Sequence, residues 1–328
     1  METLLLSINE IERAAEIIKR GGLVAFPTET VYGLGGDALN ADSARAIYAA
    51  KGRPSDNPLI VHIADFAEVD GLAESVPEEA RKLAEACWPG PLTMVLPKKA
   101  AVPDATTGGL KTVAIRMPMD SAALQLIKLS GCPIAAPSAN VSGRPSPTRW
   151  QHVSEDLDGR IDAIICGDDC TVGIESTVLD LTDPKHPQVL RPGYFTPKDI
   201  AEILGTECTV DPAVSGRPDA NLVPKAPGMK YRHYAPKAEM VIYRGANEDV
   251  RRAIEEEAHR RTAEGKRVTS LIYDEGKDAA ARLFADLRAA DDAGADVILA
   301  TALPEDGSVN NSVMNRMLKA AGYNIKEV

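Results

Sequence analysis

The stretch Leu23-Val24-Ala25-Phe26-Pro27-Thr28-Glu29-Thr30 decides how the chain is read. Four apolar residues stopped by a proline form a run too short for a helix, and it reads as a buried strand. That strand delivers Thr28, Glu29 and Thr30 to its C-terminal edge, where α/β sheets usually carry their chemistry. Upstream, Ser7-Ile8-Asn9-Glu10 has the spacing of a capping box, and Ile11, Ala14, Ile17 and Ile18 recur at helical period until Gly21-Gly22 ends the run. The first element is therefore expected to be a helix. Downstream, apolar runs at 59–63, 92–96, 112–117, 133–136, 161–165 and 176–181 alternate with helical patterns at 42–50, 76–86 and 120–129. The pattern predicts a mixed α/β domain.

Residues 206–236 break that rhythm with Pro212, Pro218, Pro224, Pro227, Pro236, Gly216 and Gly228, so they read as a linker. Beyond it comes a regular alternation: strand 239–243, helix 247–263, strand 267–273, helix 277–290, strand 296–301, helix 308–321. The expected division is a catalytic domain at 1–205, the linker, and a small Rossmann-like βαβαβα domain at 237–328. A length of 328 residues suits two cores better than one.

Composition narrows the function. A net charge of −11 repels polyanions, and 4% aromatic residues supply few stacking platforms, so little direct nucleic-acid binding is expected. Five cysteines without a C-x-x-C pair suit a reducing compartment. No stretch approaches the roughly 20 apolar residues of a membrane span, and no leader pattern opens the sequence. A soluble, cytoplasmic protein is expected.

Several motifs could hold anions. Lys51-Gly52-Arg53-Pro54, followed by Asn57-Pro58, reads either as a stiff cationic clamp or as an ordinary helix C-terminus. Ser138-Ala139-Asn140 with Arg144, Ser146 and Thr148 reads as a phosphate-binding loop or as a plain turn. Strand alternation sets Thr112, Ala114 and Arg116 on one face, where an arginine among apolar residues needs an anionic partner, structural or substrate. Ser176 and Thr177 enter a strand, and Arg191 ends one. The five histidines, His62, His152, His186, His233 and His259, are scattered, and no nucleophile motif is visible. Chemistry by positioning and charge is expected rather than covalent catalysis. Gly33-Leu34-Gly35-Gly36-Asp37-Ala38 matches a dinucleotide fingerprint with Asp56 about twenty residues on, yet it stands too far from its strand for the strand-to-helix turn that motif requires.

Taken together, Phe26-Pro27-Thr28-Glu29-Thr30-Val31-Tyr32-Gly33-Leu34-Gly35, Lys51-Gly52-Arg53-Pro54 and Ser138-Ala139-Asn140 make the chain resemble the YrdC-type threonylcarbamoyl-AMP synthases. Pro227 to Pro236, with the small domain behind, resembles that family's longer, two-domain branch. The resemblance implies a twisted sheet with a large concave cleft. It also implies conversion of L-threonine, bicarbonate and ATP into threonylcarbamoyl-AMP and pyrophosphate, with Mg2+ carried by ATP and no metal held by the protein. The product would pass to a separate tRNA-threonylcarbamoyl transferase for modification of tRNA adenosine 37. By the same resemblance, Lys51, Arg53, Ser138 and Asn140 are catalytic. Thr30, His62, Arg116 and Ser176 would hold threonine. Arg53, Asn57, Thr112, Ser138, Ser146, Arg191 and Tyr231 would hold ATP, with Tyr231, His233 and Tyr234 as a lid.

Overall fold

The computed structural model describes residues 2–214, 224–227 and 233–328. Its strands in the first part of the chain are Leu4–Ser7 (β1), Val24–Phe26 (β2), Gly33–Asp37 (β3), Ile60–His62 (β4), Leu92–Pro97 (β5), Thr112–Arg116 (β6), Ile134–Ala135 (β7), Ala163–Cys166 (β8), Thr177–Asp180 (β9), Gln188–Arg191 (β10) and Thr209–Val210 (β11). They form one twisted mixed sheet in the order β1-β8-β2-β3-β7-β4-β6-β5-β9-β10-β11. Parallel pairs such as β4 with β6 alternate with antiparallel ones such as β5 with β6.

The helices of this part follow the apolar periods. Ile11–Lys19 buries Ile11, Ala14, Ala15 and Ile18, and the Ser7 amide donates to the Glu10 carboxylate at 3.0 Å in the turn before it. The helix is preceded by β1, so it is not the first element. Asn40 caps Ala41–Lys51, whose end is set by Gly52 at φ 60°. The helix expected at 76–86 runs from Glu78 to Cys87, starting after Pro77.

The glycine-rich run forms β3, antiparallel to β2, so its glycines lie within a strand and not in the strand-to-helix turn where a dinucleotide fingerprint places them. Its glycines answer to packing, since a Cβ on Gly35 would meet the Phe26 ring and Ile134 at 2.8 Å.

After residue 238 the chain forms a parallel sheet of Glu239–Arg244 (β12), Val268–Leu271 (β13), Val297–Thr301 (β14) and Ile325–Glu327 (β15), in the order β13-β14-β12-β15. Helices Asn247–Ala263, Gly276–Asp292 and Val309–Ala320 connect them. The core of this unit continues into the first one, because Val31, Ile174 and Tyr234 pack with Leu283, Phe284 and Met314. Gly173, at φ +77°, lies so close that a Cβ there would stand 2.3 Å from the Ala280 carbonyl oxygen. Among the described residues, no helix is long and apolar enough to cross a membrane.

Candidate active site

Thr28 to Val31 leave β2 as a tight loop in which the Thr28 hydroxyl donates to the Val31 carbonyl at 2.6 Å and lies 2.9 Å from the Thr30 hydroxyl. Arg116, at the C-terminal end of β6, reaches this loop. Its NH1 donates to the Thr30 hydroxyl at 2.9 Å and its Nε to the Gly90 carbonyl at 3.3 Å. The NH2 group is 2.8 Å from Glu29 Oε1 without hydrogen-bond alignment, so this buried ion pair leaves NH2 with donor capacity. The other Glu29 oxygen accepts from the Met119 amide at 3.1 Å. The parallel register of β4 and β6 places His62 directly beside Arg116. Burial first, then Arg116, pushes His62 down to about 3, so its imidazole is neutral at physiological pH. Its Nδ1 lies 3.2 Å from the Ile60 carbonyl, and its ring meets Phe26 edge-on.

Arg191, at the end of β10, donates through NH2 to the Ser176 carbonyl at 3.0 Å and to the Ser176 hydroxyl at 3.1 Å. That hydroxyl is also 2.7 Å from the Thr93 hydroxyl. Arg53, just past its helix, donates through NH2 to the Pro58 carbonyl at 3.1 Å and through Nε to the Asn57 carbonyl at 3.3 Å. Burial lowers both Arg53 and Arg191 to about 10, and each remains cationic at neutral pH. Glu175 is buried between them and the second unit. Burial pushes its carboxyl up, but Arg316 first, then Arg191 and the Ser146 hydroxyl, outweigh that and hold it below the ordinary value.

These groups meet in one recess that is partly open to solvent. Its wall includes Thr30, Arg53, His62, Arg116, Ser138, Ser176, Arg191, His233 and Tyr234 from the sequence-predicted set. Among the described residues, three guanidinium groups against two carboxylates, Glu175 in the wall and Glu29 paired with Arg116, leave the site net cationic in an acidic protein. The recess can therefore take a polyanion beside a carboxylate.

Other expected residues stand elsewhere. Lys51 is fully buried and does not line the recess. Its Nζ donates to the Ser138 carbonyl and, at 2.5 Å, to that of Asn140, so it fixes the loop carrying Ser138. Asn140 spends its amide on the carbonyls of Val141 and Arg144 and accepts the Ser138 hydroxyl at 2.6 Å. The Ser146 hydroxyl donates to Glu175 at 2.5 Å behind the wall. Asn57 is buried outside the lining, its Oδ1 without a hydrogen-bond partner. Thr112 shares the face of Arg116 but lies roughly 13 Å along β6, at about 3.3 Å per residue, outside the recess. Tyr231 lies outside the described residues. Tyr234, at φ 65°, stacks on Phe284 with ring centroids 5.1 Å apart.

Two carboxylates at this site had no role assigned from sequence. Glu29 was expected at the strand edge, and Glu175 stands inside an otherwise apolar and hydroxylic run. An acid delivered next to an arginine-bearing strand end was the available signal for Glu29. For Glu175, whose partner Arg316 is 141 residues away, local sequence offers none.

The fold and the recess define a class, that of α/β proteins with a cationic, hydroxyl-rich cleft for a polyanion and a small acid. A family model described as "Telomere recombination", covering Sua5, YciO and YrdC proteins, matches residues 16–193, and one described as "Threonylcarbamoyl-AMP synthase, C-terminal domain" matches 195–322. The chain belongs to the two-domain, YrdC-type threonylcarbamoyl-AMP synthase family. It is 48% identical to the threonylcarbamoyl-AMP synthase of Pyrococcus abyssi, across 99% of this chain and 100% of that one, and 46% identical to that of Bacillus subtilis across 97% and 95%. The threonylcarbamoyl-AMP synthase of Pseudomonas aeruginosa is 32% identical and matches over its whole length to only 57% of this chain. The crystal structure of Pyrococcus abyssi Sua5 complexed with L-threonine superposes with a TM-score of 0.93 at 47% identity, each chain covered in full.

Proposed function

We propose that the chain is an L-threonylcarbamoyladenylate synthase, converting L-threonine, bicarbonate and ATP into threonylcarbamoyl-AMP and pyrophosphate. The observation that carries the reading is the convergence of Arg53, Arg116 and Arg191 with Thr30, His62, Ser138 and Ser176 in one recess. Arg116 and Thr30 suit the threonine carboxylate, because the guanidinium keeps a free donor beside an aligned hydroxyl. A neutral His62 adds no charge next to the amine, which must be uncharged to attack carbon. The amine and bicarbonate give a carbamate with loss of water. A carbamate oxygen then attacks the α-phosphorus, and pyrophosphate leaves. Arg53, Arg191 and the Ser138 hydroxyl would neutralise the charge that grows on the phosphates in that step. The described residues hold no cluster of three or more metal-ligating side chains, so Mg2+ is proposed to arrive as part of the ATP substrate.

Under this reading the product feeds threonylcarbamoylation of tRNA adenosine 37 by a separate transferase. Free thiols at all five cysteines agree with a cytoplasmic place. The test is pyrophosphate release from purified protein. Release that needs threonine and bicarbonate together is expected. No release, with retention of nucleotide or RNA, would show a nucleotide- or RNA-binding module instead.

A further inference from the structure

The nucleotide side of the recess is braced from behind by a residue of the second unit. Arg316, in the middle of Val309–Ala320, has no exposed side-chain surface. Its Nε donates to Glu175 Oε2 at 3.1 Å, its NH2 to the Glu175 carbonyl at 3.3 Å, and its NH1 to the carbonyls of Pro192 and Ser312. One turn earlier, the Ser312 hydroxyl donates to the Gly193 carbonyl at 2.7 Å. A single guanidinium thus ties residue 175 to residue 192, the two positions flanking Ser176 and Arg191 on the outside. Those two wall residues are joined to each other by the Arg191 to Ser176 bonds. The remaining Glu175 oxygen is taken by the Ser146 hydroxyl at 2.5 Å, so with Arg316 in place both carboxylate oxygens are occupied.

Of the other cations that act on that carboxylate, Arg191 shares the recess wall with it and is bonded to its neighbour Ser176, while Lys319 lies on the helix of Arg316 outside the wall. A buried carboxylate stripped of one partner turns to the nearest remaining cation, because leaving it unpaired is costly. We propose that Arg316 is a positioning residue for nucleotide binding: it occupies Glu175, so that the Arg191 guanidinium stays directed into the recess toward an anion of the triphosphate class. This gives the second unit a part in the reaction without any contact with substrate. The inference rests on the adenylation reading for the identity of the anion.

The test measures binding of a non-hydrolysable ATP analogue by calorimetry, with L-threonine binding measured in parallel. Arg316→Met keeps the apolar stem and removes the charge. Analogue affinity is expected to fall about tenfold or more, while threonine affinity changes less than about twofold. The double variant Glu175→Gln/Arg316→Met removes the carboxylate that would capture Arg191, and it is expected to regain most of the lost affinity. A merely structural Arg316 would give no such rescue. Unchanged analogue affinity in Arg316→Met, or a double variant no better than the single one, overturns the proposal. Should Arg316→Met not fold, Arg316→Lys carries the same measurement, since it keeps the charge without the fork. A loss of about threefold there supports the proposal, and wild-type affinity overturns it. Calorimetry needs no turnover, so absence of threonine-dependent pyrophosphate release in the wild type would strike the adenylation reading and leave this test standing.

Discussion

Arg116 is gripped from three sides, by Thr30, Gly90 and Glu29, and this fixes the plane of its guanidinium. A lysine cannot reproduce that fork. Arg116→Lys is therefore expected to raise the KM for threonine about tenfold or more while leaving the KM for ATP within about threefold, read from initial rates of pyrophosphate release. Equal effects on both substrates would remove Arg116 from the threonine side. Individual residues were legible in sequence where chemistry and place agreed. An arginine ending an apolar strand has one direction in which to find an anion, and Arg116 and Arg191 both reach the recess. Lys51 has backbone carbonyls 87 and 89 residues away as its partners, and local sequence does not tell a phosphate-binding ammonium from one that props a loop. For Thr112, alternation reports the face of the strand and not the distance along it.

Elements with a strong period were read from sequence to within a residue or two, as Ala41–Lys51 and Ser121–Ser130 illustrate. Strands that carry no pattern were not. β3 is mostly glycine, with weak strand propensity, and exists because the Phe26 ring needs the space. β15 is a short, polar edge strand held by its register with β12. At the same scale, His233 and Tyr234 line the recess, with Tyr234 anchored on Phe284. Tyr234→Ala removes that anchor and admits water to a site that must protect a carbamate. The expected result is more ATP consumed per threonylcarbamoyl-AMP formed, measured as the ratio of phosphate and pyrophosphate released to product. An unchanged ratio would show that the segment does not shield the reaction.

The two units act as one body because their seam is polar as well as apolar. Arg288, fully buried, donates to both Asp156 oxygens, at 3.1 and 2.9 Å, and to the Pro145 carbonyl at 2.7 Å. In the sequence these arginines look like ordinary exposed helical charges, since Arg288 directly follows Leu287 of the apolar face. Only assembly of the two units reveals their depth. Burial also governs how the whole molecule responds to acid. It lowers His62 and His233 to about 3 and His152 to about 4, with Arg116, Arg53 and Arg288 as the respective leading cations. The unfolded chain takes up these protons near pH 6.5, whereas the folded chain resists them until far lower pH. The unfolded state thus binds more protons in that window, so stability is full above about pH 6.5 and declines as pH falls toward about 4. The melting temperature is expected to drop between pH 7.5 and 5, and His152→Gln to flatten part of that slope. A slope unaltered in the variant would exclude His152 as a contributor.

The dependence of Glu175 on Arg316 also orders events in time. Residues 28 to 191 leave the ribosome well before residue 316, and domains of a growing chain tend to fold as they emerge. Until the later helix arrives, Glu175 lacks Arg316 and has Arg191 and the Ser146 hydroxyl as its partners. If Arg316 holds Glu175 away from Arg191, grip on nucleotide is completed only when the last long helix docks.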